Sequence, residues 1–107
     1  MSSTDTPDSN AIAISNNVAE SRYEIRVGDV VAGFAAYHLR PGRITFTHTE
    51  IADEFEGQGI ASLLAVGALD AARAAGLLVT PLCPFIAAYI RRHPEYLDIV
   101  DPAANFH

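Results

Sequence analysis

The spacing of apolar and polar positions changes twice along this chain. Tyr23, Ile25 and Val27 alternate with Glu24 and Arg26, the period of a strand with one covered face. Gly28-Asp29 supplies a tight turn. The next run, Val30 to Leu39, is almost continuously apolar, which predicts a strand covered on both faces. "RPG" at 40–42 makes another turn, and "RITFTHTEIA" at 43–52 reads as a third strand, dense in β-branched residues. Strict alternation puts Ile44, Phe46, His48 and Glu50 on one face of it and Thr45, Thr47, Thr49 and Ile51 on the other.

From Gly59 the period lengthens. Ile60, Leu63, Leu64, Ala68, Ala71, Ala72 and Ala75 recur at helical spacing, and Gly76 suits the position just past the helix end. "LLVTPLC" at 77–83 predicts a short buried strand. "PFIAAYIRRH" at 84–93 opens on proline and closes on basic residues, so it predicts a second helix. "PEYLDIVDP" closes the domain as a short strand or an irregular segment. Residues 1–18, rich in Ser, Thr, Asp and Asn, read as a disordered tail ahead of one domain over 19–107. The predicted order is β-β-β-α-β-α. A helix joining the last two strands implies a parallel crossover, and the first three strands imply an antiparallel meander. The fold class expected is α/β in the α+β sense, a mixed, mostly antiparallel sheet with helices packed on it.

Composition narrows the function. The net charge is −6 and the pI about 4.9, which argues against nucleic acid as a partner and fits a cationic amine. All seven basic residues are arginine. The absence of lysine excludes a phosphate loop of the Gly-Lys-Ser/Thr type and a lysine Schiff base. The single cysteine, Cys83, excludes an intrachain disulfide and fits a reducing compartment. No apolar run reaches the ~20 residues of a membrane span, and the N-terminus lacks the basic and apolar regions of a signal peptide. A cytoplasmic protein with no membrane partner is expected, as a monomer or a homodimer. No metal site is assigned.

The stretch "EFEGQGIA" at 54–61 is the most informative. Glycine is a poor helix former, yet Gly57 and Gly59 stand where the helix begins. A helix N-terminus presents free N–H groups and a partial positive charge, and glycines let a ligand approach the backbone. Gly57, Gln58, Gly59, Ile60 and Ala61 therefore form a candidate phosphate cradle. The competing reading is a sharp strand-to-helix turn with no ligand. The third glycine of a dinucleotide fingerprint is missing, since Ser62 stands there.

"EGQGIASLLAVGALDAARAAG" resembles the cofactor motif of the GCN5-related N-acetyltransferases, Gln/Arg-x-x-Gly-x-Gly/Ala. Gly59 and Ala61 match it; Glu56 stands where the motif has Gln or Arg, and is expected to point away from a bound pyrophosphate. "HTE" at 48–50, the glycine turn, "PLCPF" at 81–85 and "YIRRHPEY" at 89–96 resemble, in order and spacing, a small single-domain subgroup, the YjdJ-like acetyltransferases. The resemblance covers roughly residues 20–100. It implies acetyl-CoA or coenzyme A as cofactor, with pyrophosphate on the 57–61 turn and pantetheine along the preceding strand beside Ile51.

The resemblance also gives Cys83 the place of a proposed active-site thiol. A thiol at the start of a helix is a better nucleophile than a free one; the other reading is an inert cysteine at a strand end. His48 and Glu50 are candidate bases for an attacking amine, against a satisfied strand histidine and a solvated carboxylate. Tyr89 is a candidate acid for the departing thiolate, against a packed helix residue. Arg91 and Arg92 either meet the cofactor's 3′-phosphate or complement the helix C-terminus. Two functions stay open: an N-acetyltransferase acting on a small-molecule or protein amine, with Cys83 as a possible acetyl carrier, or a non-catalytic CoA-binding or protein-interaction module.

Overall fold

The computed structural model describes residues 11–104 and 106. Five strands form one sheet in the order β1-β2-β3-β4-β5. β1 is Ile12–Asn17, β2 Arg22–Val27, β3 Val30–Arg40, β4 Arg43–Ile51 and β5 Leu78–Pro81. The first four are antiparallel neighbours; β4 and β5 pair in parallel through the crossover helix α1, Ile60–Ala74. Helix α2, Pro84–Arg92, follows β5, with proline in its first turn and Arg91 and Arg92 in its last. The closing segment is a 3₁₀-helix, Pro94–Ile99, and Val100 bridges to Val79.

The expected class holds, with one strand more than the sequence reading had. That strand lies inside the stretch read as a disordered tail. Residues 1–10 lie outside the described residues, but Ile12–Asn17 pairs with β2 along its whole length. Three of its six residues are polar, and among its apolar ones Ile14 packs against the core. Gly67 in the middle of α1 makes room for it: a Cβ there would stand 2.7 Å from Ile14 Cδ1. Asn16 Oδ1 accepts from the Tyr37 hydroxyl at 2.7 Å, tying the strand to β3.

Both helices cover one face of the sheet. Ile25, Ala35, Ile44 and Phe46 meet Leu64, Ala68 and Leu69 of α1 and Ile86 and Ile90 of α2 in one core cluster. The alanines of α1 let its axis lie close to the strands. Among the described residues no helix covers the opposite face, so β3 is not buried on both sides as its apolar run suggested. Phe34 and Ala36, half-buried, stand on that open face. Arg73 fixes the 3₁₀-helix to α1 by a paired contact to Asp98 at 2.6 and 2.9 Å, and Tyr96 donates to Asp70 at 2.7 Å. No helix among the described residues is long and apolar enough to cross a membrane.

Candidate active site

The site begins where β4 and β5 part. They pair only from Arg43–Leu78 to Phe46–Pro81. At the fork the Cys83 N–H still donates to the Phe46 carbonyl at 2.9 Å. Beyond it Pro84 turns the chain into α2 while β4 continues to Ile51, bonded to β3 on one side only. A cleft of about 330 Å³ opens between them. Thr49 and Ile51 form its strand wall and Phe85 of α2 the wall opposite; Phe55 and Glu56 bound the end that leads to α1.

The glycine turn closes that end. Gly57 and Gly59 have φ of +80° and +74°, the left-handed region that an L side chain enters at a cost of roughly 1–2 kcal/mol. Gly59 is the N-cap of α1, and no side chain caps the helix. The first-turn N–H groups of Ile60, Ala61 and Ser62 therefore lie at the cleft without a capping oxygen, the state in which a helix N-terminus receives an anion. A Cβ at Gly57 or Gly59 would meet nothing within 4 Å, so the space in front of the backbone is clear. These residues fit a pyrophosphate, and the apolar walls beyond fit a slender chain such as pantetheine. Gln58 faces elsewhere, its amide donating to the Glu54 carbonyl at 3.1 Å. Glu56 lines the cleft rather than standing clear of it.

A β-bulge decides which strand residues reach the cleft. Ala36 pairs with His48 but Tyr37 pairs with Phe46, so Thr47 is an extra residue and the alternation inverts there. Thr49 and Ile51 turn to the side of Phe46, toward the helices. His48 and Glu50 turn to the open face. The expectation that Ile44, Phe46, His48 and Glu50 share one face is thus corrected: Ile44 and Phe46 are in the core, His48 and Glu50 are exposed beyond the bulge. There His48 Nε2 and Glu50 Oε2 are 2.7 Å apart, and the imidazole meets the Phe34 ring edge-on.

The remaining candidates are scattered. Cys83 is the N-cap of α2 and is 2 % exposed; its Sγ lies 3.1 Å from Thr49 Oγ1. The thiol stands one side chain behind the cleft wall. Tyr89 does not line the cleft. It is buried, stacked on His93 at 4.1 Å and tilted against Tyr96, and burial pushes its hydroxyl above the ordinary tyrosine value, reinforced by Glu95 and Asp70. That is the packed-residue reading rather than a general acid. Arg91 and Arg92 sit in the last turn of α2, at the other end of the helix from Phe85, with the Arg91 guanidinium over Phe106 at 4.9 Å. Neither lines the cleft. Conversely, the sequence reading gave no role to Thr49, Phe55, Ser62 or Phe85, which do. Phe85 stands in "PLCPF" beside the cysteine, and Thr49 shares a strand face with Ile51.

A family model described as GCN5-related N-acetyl-transferase matches residues 22–99. The fold is similar to the NMR solution structure of a GCN5-like candidate N-acetyltransferase from Staphylococcus aureus, with a TM-score of 0.65 and 21 % identity over 94 % of this chain and 97 % of that one. No curated protein matches. The family match runs from the first residue of β2 to the last of the closing 3₁₀-helix, well over half the chain, and takes in the fork, the cleft and the glycine turn. By that match the chain belongs to the GCN5-related N-acetyltransferase family.

Proposed function

We propose that the protein is an acetyl-CoA-dependent N-acetyltransferase acting on a primary amine. The observation that carries this is the uncapped, glycine-led N-terminus of α1 at one end of a cleft whose other end is the parting of β4 and β5. The helix start holds the pyrophosphate, and the one-sided edge of β4 from Thr47 to Ile51 offers backbone groups to the pantetheine amides. The cofactor supplies an acetyl thioester, a carbonyl open to attack by an unprotonated amine. The protein's task is then to orient the amine and take its proton. The His48–Glu50 pair on the open side of β4 is suited to that: Glu50 orients the ring and stabilises the imidazolium once the proton arrives.

A second route has one observation in its favour. Cys83 Sγ touches Thr49, a cleft residue, at the fork itself. A thiol there can take the acetyl group from the thioester, releasing CoA, and pass it to the amine, provided the Thr49–Cys83 contact opens. Direct transfer suits the buried thiol better.

The cofactor is tested by thermal unfolding. At a free concentration 100 times the dissociation constant, CoA should stabilise the fold by about 2.7 kcal/mol. Gly59→Val should abolish the shift, because the branched side chain strains a left-handed position and fills the approach to the helix start. An unchanged melting temperature in millimolar CoA would refute the proposal. Intact-protein mass spectrometry separates the routes. An acetyl adduct lost in Cys83→Ala marks the thiol route. No adduct, with turnover surviving Cys83→Ala and falling in His48→Ala or Glu50→Gln, marks direct transfer. With no lysine in the chain, only the N-terminal amine can mimic the adduct.

A further inference from the structure

The open face of the sheet carries an arrangement that the cofactor cleft does not use. Cross-strand register sets Glu24, Phe34 and Glu50 in one row, with Arg22, Ala36 and His48 in the next. Glu24 is 3 % exposed although no helix lies over this face among the described residues. Burying a carboxylate is unfavourable unless it is fully paired. Here Asn17 Nδ2 and Arg22 Nε each donate to it at 2.9 Å and Arg26 Nη2 at 3.3 Å. One consequence is that Arg22 is held in place. Its guanidinium lies over the Phe34 ring, 4.6 Å from the centroid, with Nε occupied by Glu24. Its two terminal amino groups have no hydrogen-bond acceptor among the described residues.

Arg22 of β2 and Phe34 of β3 line a cavity of about 450 Å³. Glu50 of β4 and Asp53 just after it line it as well, with residues 31–33 of β3, the strand between β2 and β4. Ile51 belongs both to this cavity and to the cofactor cleft, so the two adjoin along β4. The cavity thus takes a cation from β2 and carboxylates from β4 and the residues just after it. The Arg22 and His48 columns are two strands apart, about 10 Å between backbones at the usual strand spacing.

We infer that this cavity is the acceptor site and that the acceptor is an amine carrying a carboxylate several bonds away, with its ammonium group toward Glu50, which His48 contacts from outside the cavity, and its carboxylate on the free edge of Arg22. The inference rests on the proposed acetyl transfer and adds the acceptor's chemical class. A plain amine leaves the Arg22 edge unused. A diamine sets a second cation against it. A phosphate dianion is repelled by Glu50 and Asp53 more strongly than a single carboxylate is.

The test is a binding measurement on the CoA-saturated protein, by NMR titration, with three probes of equal length: 6-aminohexanoate, hexylamine and 1,6-diaminohexane. The aminocarboxylate should bind about tenfold or more tighter than hexylamine, the scale of a hydrogen bond to a charged group. Arg22→Lys keeps a cation beside Glu24 but removes the free fork. It should erase that preference and keep the thermal shift with CoA, which reports an intact fold. Hexylamine or the diamine binding wild type as well as the aminocarboxylate overturns the inference, as does a preference that survives in Arg22→Lys. If Arg22→Lys fails to fold, the wild-type ranking alone decides. Loss of CoA binding with the aminocarboxylate preference intact strikes the proposed function and not this site; CoA binding with no preference strikes this site alone.

Discussion

Glu24 is the residue whose burial most needs explanation, since a carboxylate on an uncovered sheet face would ordinarily stay in water. The Asn17 amide and the Arg22 guanidinium hold its carboxyl below the ordinary glutamate value, against the opposing effect of burial. A depressed folded value gives stability that is fully present above the unfolded value, about 4.3, and lost as pH falls through the folded one. Asp98, lowered by Arg73, acts in the same sense. Urea midpoints should therefore fall on acidification below about pH 4. Glu24→Gln should lower the midpoint at neutral pH and flatten the acid limb without removing it. An equal acid limb in the variant would show that Glu24 is not a source of it.

At the scale of elements, β1 and the Thr47 bulge matter most. Removing the chain through Asn17 deletes an edge strand, exposes the Ile14 contact on α1, and takes donors or acceptors from Tyr37 and Glu24. We expect a loss of about 3 kcal/mol or more from these terms together, read by urea unfolding. A truncated chain of undiminished stability would show that β1 contributes no net stability. The bulge is tested by deletion. Removing Thr47 restores even alternation, so Thr49 and Ile51 cannot face the cleft while Ile44 and Phe46 keep the core. The thermal shift with CoA should vanish in the deletion and persist in Thr47→Ala; a deletion that still binds CoA would mean that the inverted alternation does not build the cleft.

At the scale of the whole molecule, a net charge of −6 opposes the proposed polyanionic cofactor. Long-range repulsion slows encounter, while the helix start attracts the phosphates only at short range. Raising ionic strength from about 0.01 to 0.15 M shortens the screening length from about 30 to 8 Å. The association rate for CoA should then rise or hold steady in stopped-flow measurements. A steep fall with salt would instead reveal a cationic patch guiding the cofactor. The same whole-molecule view explains why both cavities border β4. The helices cover one face, and the other is left to polar chemistry.

Much of this was legible in the chain. The α1 period, the glycines before it, the proline opening α2 and the strand pattern from Tyr23 to Ile51 follow from local preferences, which act within a turn or a pair of residues. The glycine turn was legible for the same reason: left-handed backbone and an uncapped helix start are properties of a few consecutive residues. β1 was not, because its one inward isoleucine gains meaning only from the gap that Gly67 leaves in α1. Nor was the bulge, since an extra residue in β4 is defined by its pairing with β3, and one such residue moved His48 and Glu50 to the open face and Thr49 into the cleft. Nor was the placing of Cys83 behind Thr49, of Tyr89 in the core, or of Arg22 between Phe34 and a buried Glu24. Sequence settled what is decided along the chain; only the tertiary structure decided which residues meet across it, because burial and pairing depend on neighbours remote in sequence.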